Sequence, residues 1–252
     1  MKYGIIGFGH LGRAMGRGMI DKLGIDPKDI LVAVKSAESR AKAENEYGVT
    51  VCADYAEVLE QADIIFWVLR KKVFLELGDL SANPNVQNKP QVSFMAGISI
   101  AETQSVLGPV HITRAIPNLA MRNCESVTGY TACNSAEVEA LFHRLGYAFC
   151  VPEEDIEKVS AFASCGIGFA ALVMDAFVEA AIGMGFEAEV ANKVVEELFI
   201  STAHIGDYAA TAKAVATPGG ATEQGINRLN EAELHRVVAE AMQRSYTKLL
   251  NF

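Results

Sequence analysis

The five cysteines of this chain never come as a C-x-x-C pair. Cys52, Cys124, Cys133, Cys150 and Cys165 are scattered and odd in number, so neither a zinc site nor a disulfide framework is expected, and no other metal site is proposed. Buried, reduced thiols in a cytoplasmic protein are the expectation. Positive charge is also scarce: 22 Lys and Arg against 31 Asp and Glu give a net charge of −9, with no basic stripe. That balance argues against a nucleic-acid partner held through phosphates, while leaving room for a local basic pocket around an anionic cofactor. No secretory leader is expected either, since Lys2-Tyr3-Gly4-Ile5-Ile6-Gly7 reads as a strand-like run and a signal peptide would need a longer apolar stretch and a small-residue cleavage site. The one long uncharged stretch, Val159 to Met174, is shorter than the roughly 20 residues that span a bilayer. Gly166 and Gly168 interrupt it and Asp175 and Glu179 follow it, so a helix buried in a core or a subunit interface is expected rather than a membrane span. There is no internal repeat, and no Ser-His-Asp or Cys-His constellation can be assembled.

What is present is enough apolar material, half of 252 residues, for one large domain or two modest ones. The first half alternates strand and helix signals. Tyr3–Ile6, Ile30–Val34, Val49–Cys52, Ile64–Val68, Val92–Met95 and His111–Ala115 read as strands. Leu11–Leu23, Ser39–Tyr47 and Ala56–Glu60 read as helices between them. That rhythm predicts a mostly parallel sheet covered by helices on both faces. Past Pro152 the texture changes. Glu153-Glu154-Asp155 can open a helix, because carboxylates favour the positive end of its dipole. Ala188–Ile205 and Glu231–Leu250 then carry helical periodicity and little reads as strand. The expected fold is an α/β Rossmann domain over residues 1–151 followed by an all-α domain over 152–252.

Gly7-Phe8-Gly9-His10-Leu11-Gly12 is a G-x-G-x-x-G run that leaves a strand and opens a helix, the context in which the motif binds a dinucleotide. Gly7 permits the tight turn, Gly9 lets backbone approach a pyrophosphate, and Gly12 lets helix and sheet pack closely. His10 reads as a backbone-positioning or solvent-exposed residue rather than a catalytic one. The next strand ends Ala33-Val34-Lys35-Ser36, with Arg40 beyond, where an NAD enzyme would carry an acidic residue for the ribose hydroxyl. A cation and a hydroxyl suit a 2′-phosphate instead, so NADP(H) is the expected cofactor.

Late in the chain, Thr217-Pro218-Gly219-Gly220-Ala221-Thr222 reads as a turn between two helices. It is either a plain helix-capping loop or a nest of backbone N–H groups and hydroxyls for a carboxylate. This segment and its continuation, Glu223-Gln224-Gly225-Ile226-Asn227-Arg228-Leu229-Asn230, closely resemble the signature of pyrroline-5-carboxylate reductases, enzymes of the last step of proline synthesis. The resemblance runs over nearly the whole chain, through the Gly7–Gly12 loop, Ala96-Gly97-Ile98-Ser99, Arg114-Ala115-Ile116-Pro117-Asn118, Glu153-Glu154 and the helix start around Gly166. It implies NADPH-dependent reduction of the C=N bond of a cyclic imino acid, most simply 1-pyrroline-5-carboxylate to L-proline. It further implies that Thr217, Gly219, Gly220 and Thr222 hold the substrate, the two threonines being the candidate catalytic groups. Pro117 and Asn118 would border the nicotinamide, and a homodimer would form through interleaved C-terminal helices. The family's Thr-Pro after Pro-Asn is Leu119-Ala120 here, its Lys-Pro after the fourth strand is Leu69-Arg70-Lys71-Lys72, and its Gly-Ser-Gly-Pro-Ala is Ser164-Cys165-Gly166-Ile167-Gly168. Those departures leave open an NADP-binding regulatory homologue without reductase activity. A hydroxyacid-dehydrogenase-like oxidoreductase is the other alternative, although Gly166–Asp175 lacks the lysine such enzymes use as acid and base.

Overall fold

The computed structural model describes residues 1–251. Its first unit, by Cα packing, is Met1–Ser164 together with the last residues from Tyr246 on; the second is Cys165–Ser245. Strand β1 (Tyr3–Ile6) leads through the glycine loop into α1 (His10–Arg17), which continues as a π-helical turn to Lys22. Then come β2 (Ile30–Ala33), α2 (Ala37–Lys42), β3 (Thr50–Val51), α3 (Tyr55–Gln61) and β4 (Ile64–Trp67). Two short helices, α4 (Lys71–Leu75) and α5 (Pro84–Gln87), precede β5 (Gln91–Ser93), α6 (Ile100–Leu107) and β6 (Ile112–Ile116). The sheet closes with β7 (Ser126–Tyr130), α7 (Ala136–Arg144) and β8 (Gly146–Cys150).

The eight strands lie in the order β3-β2-β1-β4-β5-β6-β7-β8. All neighbours run parallel except β6 and β7, which are antiparallel. The order reverses beside β1, so a crevice opens at the carboxyl ends of β1 and β4, where sheets of this kind bind ligands. The central strands are buried on both faces, which is why Ile64-Ile65-Phe66-Trp67 is a continuous apolar run and not an alternating one. Period two still sorts the residues. Ile5, Val32 and Phe66 pack under α1 with Met15 and Met19, and Ile6, Leu31 and Trp67 pack on the other face with Leu59 and Phe74. Even the buried polar atoms there are matched: the Trp67 indole donates to Gln91 Oε1 at 2.8 Å, and the Gln91 amide donates to Val86 O at 3.0 Å.

Helices follow: α8 (Ile156–Val159), a π-helical turn over Ser160–Cys165, α9 (Gly166–Gly183), α10 (Ala188–Ile205), α11 (Tyr208–Val215), α12 (Ala221–Glu231) and α13 (Leu234–Leu249). Sequence periodicity runs the last segment through from Glu231; the chain instead breaks at Ala232 and Glu233, the latter at φ 54°. The acidic cluster does form a single helical turn at Glu153–Asp155. Of the two expected settings for the long uncharged stretch, the chain's own core is not the one observed. Val159 and Ala161 are buried, but α9 has no buried residue within the chain, and Leu172, Val173 and Phe177 stand in the open. The helix through Glu153–Gly183 is long and apolar enough to cross a membrane by length and composition. The cysteines also differ from the expected uniform burial. Cys52 is buried, and burial pushes its thiol up to about 11, with Glu57 adding to the effect; Cys150 is exposed.

Candidate active site

Gly7 takes φ +102°, and a Cβ there would lie 2.3 Å from Val68 O, so the turn off β1 accepts no other residue. A Cβ on Gly12 would lie 2.5 Å from Gly7 O, which fixes how closely α1 packs on its own loop. Gly9 faces open space, with nothing within 4 Å of where its Cβ would stand. No side chain caps α1 and no acidic residue sits in its first turn, so its leading N–H groups are available to an anion. These features fit the diphosphate of a dinucleotide.

A cleft of about 570 Å³ opens over this loop. Gly7, Phe8, Gly9 and Arg13 form one wall, Ala33 to Ser36 with Ser39 and Arg40 a second, and Asp54, Tyr55, Leu69, Val73 and Leu77 the rest. Three cations, Arg13, Lys35 and Arg40, meet one carboxylate, Asp54, in a chain whose net charge is −9. Lys35 is exposed and makes no ion pair among the described residues. Ser36 caps α2 by accepting from Ser39 N at 3.1 Å and donates its own proton to Ser39 Oγ at 2.9 Å, which leaves the Ser39 hydroxyl to donate outward. Arg40 donates to Cys52 O at 3.1 Å and Ala53 O at 3.2 Å, so it also holds the end of β3. Sequence reading did not single out Arg13 or Ser39, although both stand within three residues of the motifs it used.

The remaining expected cofactor residues differ in their placement. Phe8 lines the cleft, and its ring packs against Tyr47, 5.2 Å between centroids. His10 is exposed, Leu11 packs against the core, and neither lines the cleft. Pro117 and Asn118 follow β6 at the same carboxyl edge of the sheet and are buried. The Asn118 side-chain amide donates to Ala163 O at 3.0 Å and accepts from Ala120 N at 3.1 Å.

A polar lattice at this edge carries signals that sequence reading had assigned otherwise. Arg114 on β6 pairs with Glu157 at 2.7 Å and Glu153 at 3.4 Å. Glu153 also accepts from Ile100 N at 2.6 Å and Glu157 from Gly97 N at 3.3 Å. Lys71 donates to Gly97 O at 2.8 Å and pairs with Glu102 at 2.9 Å. The acidic cluster thus does more than favour a helix dipole: with Lys71 it fixes the Ala96–Ser99 loop after β5. Arg114 Nε and Glu157 Oε2 are buried without a partner.

In the second unit, the turn before α12 is built as the Pro-Gly-Gly sequence requires. Gly219 takes φ +75°, and the Gly220 N–H donates to Thr217 O at 2.8 Å. The cap residue of α12 is Gly220, with no side-chain cap; Thr222 is the second residue of the helix and exposed. Glu223 reaches back and accepts from Gly219 N at 2.8 Å. The glycine amides are therefore spent within the loop, while the N–H groups of Ala221, Thr222 and Glu223 at the start of α12 have no partner among the described residues. Thr217 and Thr222 are both exposed beside them. A second cleft, about 640 Å³ between α9 and α10, contains none of these residues.

A glycine-loop crevice walled by cations, on a sheet that switches direction beside β1, defines a dinucleotide-binding oxidoreductase domain, here followed by a helical unit. Comparisons with known proteins narrow this class. Residues 2–97 match the family described as NADP oxidoreductase coenzyme F420-dependent, and residues 153–251 match pyrroline-5-carboxylate reductase dimerisation. Pyrroline-5-carboxylate reductase 2 of Bacillus subtilis is 24% identical over 96% of this chain and 91% of its own length. Pyrroline-5-carboxylate reductase of Arabidopsis thaliana is 26% identical over 97% and 94%. The Plasmodium falciparum pyrroline carboxylate reductase solved with NADP bound superposes with a TM-score of 0.86 at 18% identity, over 100% of this chain and 97% of that one. The chain is thus similar to pyrroline-5-carboxylate reductases over nearly its whole length.

Proposed function

We propose that the chain is an NADPH-dependent oxidoreductase that reduces the C=N bond of a cyclic imino acid, with 1-pyrroline-5-carboxylate as substrate and L-proline as product. The observation that carries this reading is the cation-walled cleft over the glycine loop, with Lys35 where an NAD enzyme places a carboxylate. The match of residues 153–251 to pyrroline-5-carboxylate reductase dimerisation and the names of the similar proteins support the reaction.

Residues 1–151 bind the cofactor in this reading. Gly7, Gly9 and the leading amides of α1, including those of His10 and Leu11, receive the pyrophosphate, with Phe8 and Gly12 shaping the loop. Lys35 and Ser36, the latter through Ser39, receive the 2′-phosphate. Pro117 and Asn118 give a rigid, dry wall at the nicotinamide end. When bound, the reduced nicotinamide supplies a hydride to the carbon of the C=N bond. Residues 152–252 serve dimerisation and substrate binding. The substrate carboxylate sits on the open amides at the start of α12, with Thr217 and Thr222 donating and Gly219 and Gly220 giving the turn its shape. A protonated imine is already electrophilic, so orientation by these groups is the main catalytic contribution and no strong general acid is required. The apolar surface of α9 and α10 is covered by a second copy in a cytoplasmic homodimer. The test is steady-state oxidation of NADPH by the purified chain with 1-pyrroline-5-carboxylate. Imine-dependent turnover that forms proline is expected; cofactor binding without turnover would instead identify a regulatory homologue.

A further inference from the structure

Arg13 is a cation that the fold itself does not explain. It lies in the first turn of α1, where the helix dipole disfavours positive charge. Its only side-chain hydrogen bond among the described residues runs from Nε to Gly9 O at 3.3 Å, and no carboxylate pairs with it there. Arg17, one turn later, is the contrast. It stacks on the Tyr47 ring at 4.3 Å, donates to Glu46 O at 2.9 Å and lies 3.8 Å from Asp21. Arg17 is accounted for by local contacts and does not line the cleft; Arg13 lines it. An anion bound at the loop would turn the unfavourable placement of Arg13 into a favourable one, because it would supply the counter-charge.

We infer that Arg13 binds the diphosphate of the dinucleotide, holding a phosphate oxygen on the side of the loop that its Nε–Gly9 contact places it. This rests on the cofactor reading above and divides the cleft into two anion positions. Lys35, two residues past the end of β2, recognises the 2′-phosphate and so discriminates between cofactors. Arg13, at the glycine loop, meets a group that NADPH and NADH share and so does not discriminate. An arginine suits that position because its planar fork can hold Gly9 O and a phosphate oxygen at the same time.

The test is Arg13→Gln, read by fluorescence titration of the whole protein with NADPH and with NADH, and by thermal melting without ligand. Loss of a charge-assisted contact should raise Kd by about 10- to 150-fold for both dinucleotides, leaving their ratio as in the wild type. Tm of the ligand-free variant should hold or rise, since a charge opposing the helix dipole is gone; a purely structural arginine would lower it. Arg17→Gln should leave both affinities unchanged. Unaltered Kd values in Arg13→Gln, or a loss confined to NADPH, would overturn the assignment while leaving the cofactor reading intact. A wild type that binds neither dinucleotide would remove that reading, and this inference with it.

Discussion

Lys35 lies two residues past the end of β2, exposed and uncommitted, at a position where burial and packing demand nothing of it. Its identity is therefore informative about a ligand. Lys35→Asp should erode or invert the preference for NADPH over NADH, since a charge-assisted contact to phosphate is worth about 1.5–3 kcal/mol. Titration of both cofactors checks this, and a wild type that binds NADH as tightly as NADPH contradicts it. Thr222 is a sharper case because its place in the helix removes one explanation. Gly220 is the cap residue, so Thr222 does not cap α12. Thr222→Ala should leave Tm almost unchanged and raise KM for the imino acid. About 1.5–3 kcal/mol, roughly 10- to 150-fold in kcat/KM, is expected for a lost bond to a carboxylate. NADPH affinity should not move. Full kcat/KM in a folded Thr222→Ala protein would take this residue out of the site.

Among the elements, the strands that feed the crevice were legible because their signals are redundant. Apolar run, glycine turn and helix period agree at β1 and α1, and Ala188–Ile205 was bounded correctly as α10. The last two strands, β7 and β8, were not legible. Ser126-Val127-Thr128-Gly129-Tyr130 and Gly146-Tyr147-Ala148-Phe149-Cys150 are short and mixed in polarity, and the pairing of β7 with β6 and of β8 with β7 defines them rather than local preference. The lattice around the Ala96–Ser99 loop was hidden for a related reason. Lys71, Arg114, Glu153 and Glu157 lie far apart in sequence and meet only once the sheet has formed. The start of α6 shows the energetics of that lattice. Ser99 and Glu102 form a capping box, and Lys71 bonds the same carboxylate. The hydrogen bond from Lys71, then that from Ser99 N–H, holds the Glu102 carboxyl below its ordinary value of 4.5. A depressed carboxyl stabilises the fold above that ordinary value, and the contribution is lost as pH falls through the lower folded value. Glu102→Gln should therefore lower Tm at neutral pH and flatten the decline of Tm on acidification below about 4.5. Parallel acid profiles for variant and wild type would contradict this.

At the scale of the whole molecule, the first unit holds the aromatic and aliphatic core, whereas Leu172, Phe177, Val190, Val194 and Leu198 on α9 and α10 are exposed within the chain. A patch of that kind is covered in solution, and residues 153–251 match a dimerisation family. Light scattering at micromolar concentration should give at least twice the chain mass; a monomer would contradict it. That the sequence marks this stretch as apolar but not as interior has a simple cause: its burial depends on a second chain, and no periodicity within one chain records that. The central claim concerns the reaction, and it is tested most directly by following the reducing hydrogen. NADPH deuterated at C4 of the nicotinamide, on the face the enzyme uses, should leave one deuterium on the δ-carbon of proline formed from 1-pyrroline-5-carboxylate. Proline without the label, or no proline from an intact NADPH-binding protein, would contradict the account.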